Sequence, residues 1–233
     1  MGLHLLYSKH MEKFLTKKIR LRPRLQAAAD MINGSRLAAD IGCDHGRLSV
    51  ALLQQGRADR VIASDISAPS LQKATELAAL CGLGSRLTTV LSDGMAHLGP
   101  DEADAIAICG MGGELIARIL GNSDYIKNEN IRLILQPMTR QAALRRFLLD
   151  SGFLIEDERL VLGDGGRIYQ IICAHWDGVR RSAAEAALAV GAINLSRGGE
   201  LLGEYTARLA RELRVSADGK RRGGDTAAAD ADE

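Results

Sequence analysis

Apolar residues fall in short runs separated by stretches of helical spacing. Leu37–Ile41, Val61–Asp65, Leu87–Leu91, Ala105–Ile108 and Ile131–Leu135 each read as a strand. Ala105-Ile106-Ala107-Ile108 is apolar on both faces, as a buried parallel strand should be. Helical patterns follow at about 47–55, 67–80, 114–120 and 139–149. Ser67 is placed to cap one of them, with Pro69 in its first turn, and Thr139 another. Ahead of the first strand, Pro23 can begin a helix with Leu25, Ala28, Ala29 and Ile32 on one face, stopped by Asn33-Gly34. Residues 9–19 read as an irregular or helical lead-in. Two late apolar segments, about 153–162 and 167–175, flank Gly163-Asp164-Gly165-Gly166, a hairpin-type turn. Five strand–helix units with a terminal hairpin describe an α/β fold of seven strands.

The pattern changes from about residue 180. Ala183–Val190 and Gly199–Val215 look helical, with Leu201, Leu202, Tyr205, Leu209 and Leu213 roughly on one face. The chain therefore divides into 1–178, a sheet domain with a basic N-terminal segment 1–36, and 179–216, a small coiled-coil-like helical appendage. The alternative is a pair of helices packed back on the sheet. Residues 217–233 lack core formers and are expected to be disordered.

At 233 residues and 46% hydrophobic, the chain can bury a large core. No apolar run approaches the ~18 residues of a membrane span, and the N-terminus lacks a secretory pattern. Cys43, Cys81, Cys109 and Cys173 are scattered with no C-x-x-C pair, which speaks against a metal site and for a reducing, cytoplasmic setting. A monomer is expected. The overall net charge of +1 hides an asymmetry: residues 1–36 hold eight basic side chains against two acidic ones, a net +6. Such a segment suggests a polyanionic substrate, although an isolated charge run is more often a solvated face.

The chemistry concentrates at Asp40-Ile41-Gly42-Cys43-Asp44-His45-Gly46, where a strand turns into a helix. Gly42 lets the backbone turn, and Gly46 lets the helix start close to a ligand or strand. Nineteen residues beyond Gly46 stands Asp65, at a strand end where a carboxylate accepts ribose hydroxyls. Dinucleotide folds place a glycine where Asp44 stands, so that bare amides meet a pyrophosphate. A carboxylate there repels phosphate but suits S-adenosylmethionine, which carries a sulfonium and an ammonium. The fold expected is then a Rossmann-like, class I S-adenosylmethionine-dependent methyltransferase sheet.

In an open parallel sheet, ligands sit beyond the carboxyl ends of the strands. Four such ends are polar or glycine-rich here: Asp40–Gly46, Asp65-Ile66, Ser92-Asp93-Gly94 and Cys109–Gly113. Asp65 should hold the ribose and Asp93 the adenine amine. Ile66 and Met95 could sandwich the ring, while Asp44 or the Cys43 and His45 backbone faces the methionine end. His45 and His97 could be catalytic, but a loop histidine is more often polar surface. Gly110-Met111-Gly112-Gly113 makes a wide floor poor in side chains, able to admit a planar base. A ring nitrogen with a free lone pair could attack there without a dedicated base.

Taken in order, Asp40-Ile-Gly-Cys-Asp-His-Gly46, Ala63-Ser-Asp-Ile66, Ser92-Asp-Gly94, Gly110-Met-Gly-Gly-Glu-Leu-Ile116 and Leu133-Ile-Leu-Gln-Pro137 resemble the TrmK family of bacterial tRNA (adenine-22-N1)-methyltransferases. The resemblance runs from about Leu21 to Trp176. It implies S-adenosylmethionine as methyl donor, tRNA as substrate, and a C-terminal helical domain that helps grip the tRNA. It carries the cofactor role onto Asp40, Gly42, Asp44, Asp65, Asp93 and Gly110. Asp93, Met111 and Glu114 are the candidates for shaping the target-base pocket. Arg20, Arg22, Arg24, Arg140 and Arg145 are the candidates for contacting RNA. The helical part is short here and ends in a low-complexity tail.

Two other readings compete. One is a methyltransferase for another RNA or a small molecule; the other is a cofactor-fold RNA-binding protein without catalysis. Asp65 and Asp93 together disfavour the second, and Asp44 makes an NAD-dependent oxidoreductase the weakest reading.

Overall fold

The computed structural model describes residues 18–100 and 102–222. Most of the expected lead-in at 9–19 lies outside them. Within them, α1 spans Pro23–Asp30, β1 Ser35–Ile41, α2 Arg47–Gln54, β2 Ala58–Asp65, α3 Ala68–Leu80 and β3 Leu87–Leu91. Then come β4 Ala105–Met111, α4 Gly113–Gly121, β5 Arg132–Pro137, α5 Gln141–Asp150, β6 Phe153–Leu162 and β7 Ile168–Trp176. Three helices finish the described residues: α6 Glu185–Val190, α7 Ala192–Arg197 and α8 Glu200–Arg222.

The seven strands form one sheet in the order β3-β2-β1-β4-β5-β7-β6. β1 to β5 pair in parallel, and β7 enters antiparallel between β5 and β6. The register follows from burial. Consecutive side chains of a strand point to opposite faces, so a strand apolar throughout feeds two cores. Ala38, Ala105 and Ala107 pack on one face with Ala28 of α1, Leu48 of α2 and Ala74 of α3. Ala39, Ile41, Ile106 and Ile108 pack on the other with Ile116 of α4 and Leu144 and Leu148 of α5. Ser67 caps α3 as expected, accepting the Ser70 amide at 3.3 Å. Thr139 caps nothing: Arg140 takes the N-cap of α5 in a left-handed conformation.

The C-terminal helices lie against the sheet domain, the alternative that the apolar pattern left open. α7 was not legible in the sequence. Gly191 (φ 101°) separates it from α6, and a Cβ there would collide with the Glu158 carboxylate. Arg145 joins the two parts. It is 1% exposed, donates from Nε to Glu158 at 2.6 Å and from Nη1 to the Leu188 carbonyl at 2.9 Å, and also reaches Gln170. Gln170 in turn donates to the Tyr205 hydroxyl at 2.6 Å. α8 does not stop near 216. It runs to Arg222, and Ala217 is buried, so the expected disordered tail begins with helix. No helix among the described residues is long and apolar enough to cross a membrane.

Candidate cofactor and methyl-transfer site

After β3 the chain crosses the sheet and lays β4 on the other side of β1. That reversal opens a crevice at the carboxyl ends of the two strands, where open α/β sheets bind ligands. A cavity of about 420 Å³ lies there, lined by Gly42, Asp44, Asp65, Ile66, Asp93, Gly94, Gly110 and Met111 among others. All four strand ends singled out by sequence contribute to it.

Asp65 anchors the cavity. Its Oδ2 accepts the Asp44 amide at 3.0 Å and its Oδ1 accepts the Ser67 amide at 2.9 Å. A carboxylate oxygen accepts two bonds, so each keeps one lone pair for a ribose hydroxyl. Ile66, 75% exposed on the cavity wall, offers an apolar face for an adenine ring. Gly42 (φ 70°) adopts a backbone that a side chain would strain, and a Cβ there would strike the Met111 methyl. The Met111 thioether therefore lies across the space between the β1 and β4 ends. Asp44 takes φ 51° to turn the loop.

Several sequence expectations change. Asp40 does not line the cavity. It is 2% exposed beneath the loop, accepts the Ser49 hydroxyl at 2.5 Å, and burial raises its pKa to about 6, with Asp65 and Asp44 adding repulsion. Cys43 is buried and its amide is bonded to the Ser64 carbonyl at 2.9 Å, so it does not face a ligand. Burial and Asp40 push its thiol to about 12. His45 points outward, 3.2 Å from Lys73 Nζ and 3.5 Å from Asp44. Gly46 serves helix packing, because a Cβ there would strike Ala74 of α3. Met95, 2% exposed, belongs to the core and cannot cover the ring. Leu115 and Ile119 of α4 line the cavity in its place. Their i, i+4 spacing just after a glycine turn was the available signal.

Glu114 also lies outside the cavity, exposed and 3.8 Å from Arg140. Of the basic residues, Arg24 belongs to the cavity: its Nη1 donates to Gln136 at 2.6 Å beside Gly110. Arg22 and Arg140 are at the surface, as is Arg20, whose carbonyl accepts Arg47. Arg145 cannot touch RNA, because it is sealed in the joint already described. The ring nitrogens of His97 are buried without a described partner, and burial lowers its pKa.

A family described as "Methyltransferase domain" matches residues 21–172. The tRNA (adenine(22)-N(1))-methyltransferase of Bacillus subtilis is 33% identical over 174 residues, which is 71% of this chain and 72% of that protein. The chain belongs to the TrmK family. The crystal structure of the B. subtilis M1A22 tRNA methyltransferase TrmK matches with a TM-score of 0.80 at 28% identity, over 92% of this chain and 93% of the other. M. capricolum TrmK, solved with the cofactor product S-adenosyl-homocysteine, matches at 0.71 and 26% identity, over 84% and 86%. These TrmK matches extend past the sheet into the C-terminal helices.

Proposed function

We infer that this chain transfers a methyl group from S-adenosylmethionine to N1 of adenine 22 in tRNA. The carrying observation is the cavity at the β1–β4 crevice, which holds three carboxylates, Asp44, Asp65 and Asp93, on a TrmK-family frame. S-adenosylmethionine supplies an electrophilic methyl on a sulfonium.

Asp65 holds the ribose hydroxyls through its two remaining lone pairs. Asp93 accepts from the adenine amine, and Ile66 with Leu115 or Ile119 flanks the ring. Asp44 faces the cationic methionine end. The bare backbone of Gly110 leaves room for the target base, with Met111 as its neighbour. N1 of adenine carries a lone pair and no proton, so attack needs no base. The Cys109 thiol at the cavity wall is pushed far up by burial and stays protonated. Transfer would form the N–CH₃ bond as the S–CH₃ bond breaks, moving a positive charge from sulfur to the adenine ring. Asp44, Asp65 and Asp93 would supply the negative field of the cavity in which that charge moves.

The four free cysteines fit a reducing cytoplasm, where tRNA is available. The test is incubation of the full chain with unmodified tRNA and labelled methyl donor, followed by digestion of one part to nucleosides and of another to sequence-specific fragments that locate the label. Label should appear in 1-methyladenosine from position 22. Label in another nucleoside, or none in tRNA, overturns the reading.

A further inference from the structure

A second cleft, of about 510 Å³, lies outside the cofactor cavity. It is bounded by the start of α5 (Thr139, Arg140), the β6–β7 turn (Gly165, Arg167) and α8 (Tyr205, Arg208). Three arginines from three elements converge on it. Glu212 is the lone carboxylate among its lining residues.

Two of the arginines are held in place without being neutralised. Arg167 Nη2 donates to the Met138 carbonyl at 2.8 Å, and Arg208 Nη1 to the Gly166 carbonyl at 3.1 Å. A carbonyl orients a guanidinium but leaves its charge and its other N–H groups available. Among the described residues neither has an acidic partner within 4.0 Å, while Arg140 meets Glu114 only at 3.8 Å, with both side chains exposed.

The cleft also shares a wall with the methyl-transfer site. Met138, one of its lining residues, donates its amide to the Met111 carbonyl at 2.8 Å, and Met111 lines the cofactor cavity. Tyr169 makes a second link. Arg167 of the cleft lies 5.4 Å from its ring centroid, and Arg24 of the cavity lies 5.9 Å from the same centroid. A basic and aromatic strip therefore runs from Gly110 to α8.

We propose that this cleft binds the sugar–phosphate backbone of the tRNA strand that delivers the target adenosine, with Arg140, Arg167 and Arg208 contacting its phosphates. The proposal rests on the tRNA-methyltransferase reading and adds where the substrate sits. Preoriented, unneutralised guanidiniums suit phosphodiesters, which accept bidentate bonds in that geometry. It also gives the packed-down α8 a purpose, since α8 closes one side of the cleft.

The test uses the full chain with single variants Arg167→Gln and Arg208→Gln, and Arg60→Gln as a charge-matched control. Arg60 is exposed near the start of β2, at the end of the sheet away from the cofactor. Unmodified tRNA binding is followed by anisotropy across a salt series, and S-adenosylmethionine binding by calorimetry. Each cleft variant should weaken tRNA binding about tenfold and reduce the salt slope by about 1, as loss of one phosphate contact does. Cofactor affinity should stay unchanged, which also confirms that the variants are folded. Arg208→Lys should recover part of the loss. Inorganic phosphate at matched ionic strength should not displace tRNA; displacement by phosphate alone assigns the cleft to a free anion and overturns the proposal. So does wild-type tRNA affinity and salt slope in both cleft variants, or an equal loss in Arg60→Gln. These outcomes leave the functional reading standing if the wild-type chain still forms 1-methyladenosine. Failure of the wild-type chain to methylate tRNA sinks the reading and this proposal together.

Discussion

Asp40 at the cofactor end and the Arg145–Glu158 pair at the C-terminal joint are about equally withdrawn from water, at 2% and 1% exposure. Their surroundings differ. Among the described residues, Asp40 has donors from one residue only, the hydroxyl and the backbone amide of Ser49, no cationic partner, and two other carboxylates nearby. Arg145 and Glu158 have each other at 2.6 Å, the Leu188 carbonyl, the Ile193 amide and Gln170. The joint is a satisfied network whose groups hold the helices to the sheet. The cofactor end is under-compensated, with negative charge gathered where a cationic ligand would bind. Leaving charge unpaired is costly in a fold and useful in a site.

The joint should be the more sensitive of the two to truncation. Arg145→Ala leaves Glu158 buried without its cation and should cost about 3–5 kcal/mol in urea unfolding. Replacing both partners, as Arg145→Met with Glu158→Leu, should recover much of that loss. A single variant that unfolds like the wild type would remove the joint from the comparison.

At the cofactor end, effects should appear in binding before stability. Asp65→Ala removes the acceptor for two ribose hydroxyls and should weaken S-adenosylmethionine binding by about 2–4 kcal/mol in calorimetry. Unchanged affinity would show that Asp65 only orders the loop through Asp44 and Ser67.

Asp40 sharpens the contrast through pH. Its folded pKa of about 6 lies above the ordinary 3.8, so the folded state holds the proton more tightly. Its contribution to stability is fully present below about pH 4 and lost as pH rises through 6. Asp40→Asn should therefore be the more stable protein above pH 6, by up to about 3 kcal/mol, with the gap closing near pH 4. Urea unfolding at three pH values checks this. A cationic ligand favours ionised Asp40, so wild-type cofactor affinity should fall below pH 6 and that dependence should flatten in the variant.

The smallest effect expected is at Gly42. Gly42→Ala meets a positive φ and the Met111 methyl, and should cost about 1 kcal/mol or somewhat more. Adding Met111→Ala should relieve the clash but not the backbone strain. Full recovery in the double variant would show that space alone requires the glycine.

The cofactor end was readable because its parts are local. A strand, a glycine turn and a carboxylate at a fixed interval leave a pattern in one stretch, and Asp65, Asp93, Gly42 and Gly110 all reach the cavity. Misreadings arose where orientation decides the outcome. Met95 follows Asp93-Gly94 directly, yet the turn sends it into the core, while Leu115 and Ile119 arrive from a helix after the next strand. Gly46 looked like a ligand glycine, but its neighbour is Ala74, twenty-eight positions away. Arg145 and Arg146 are adjacent in sequence, and only the helix face separates a buried network from an exposed pair with Glu185.

By itself the sequence determined the strand–helix alternation, the four strand ends and the cofactor class, since periodicity and short-range spacing encode them. The tertiary structure alone decided which arginines are free for a polyanion and which are sealed away. Arg145 was among the arginines expected to contact RNA, and folding brings Glu158, Gln170 and the Leu188 carbonyl around it. Arg167 and Arg208 drew no notice, being forty-one residues apart in a turn and a helix. They meet because β7 inserts beside β5 and α8 folds back across that end of the sheet. Charge is a property of the residue, but its availability depends on which distant groups the packing places beside it.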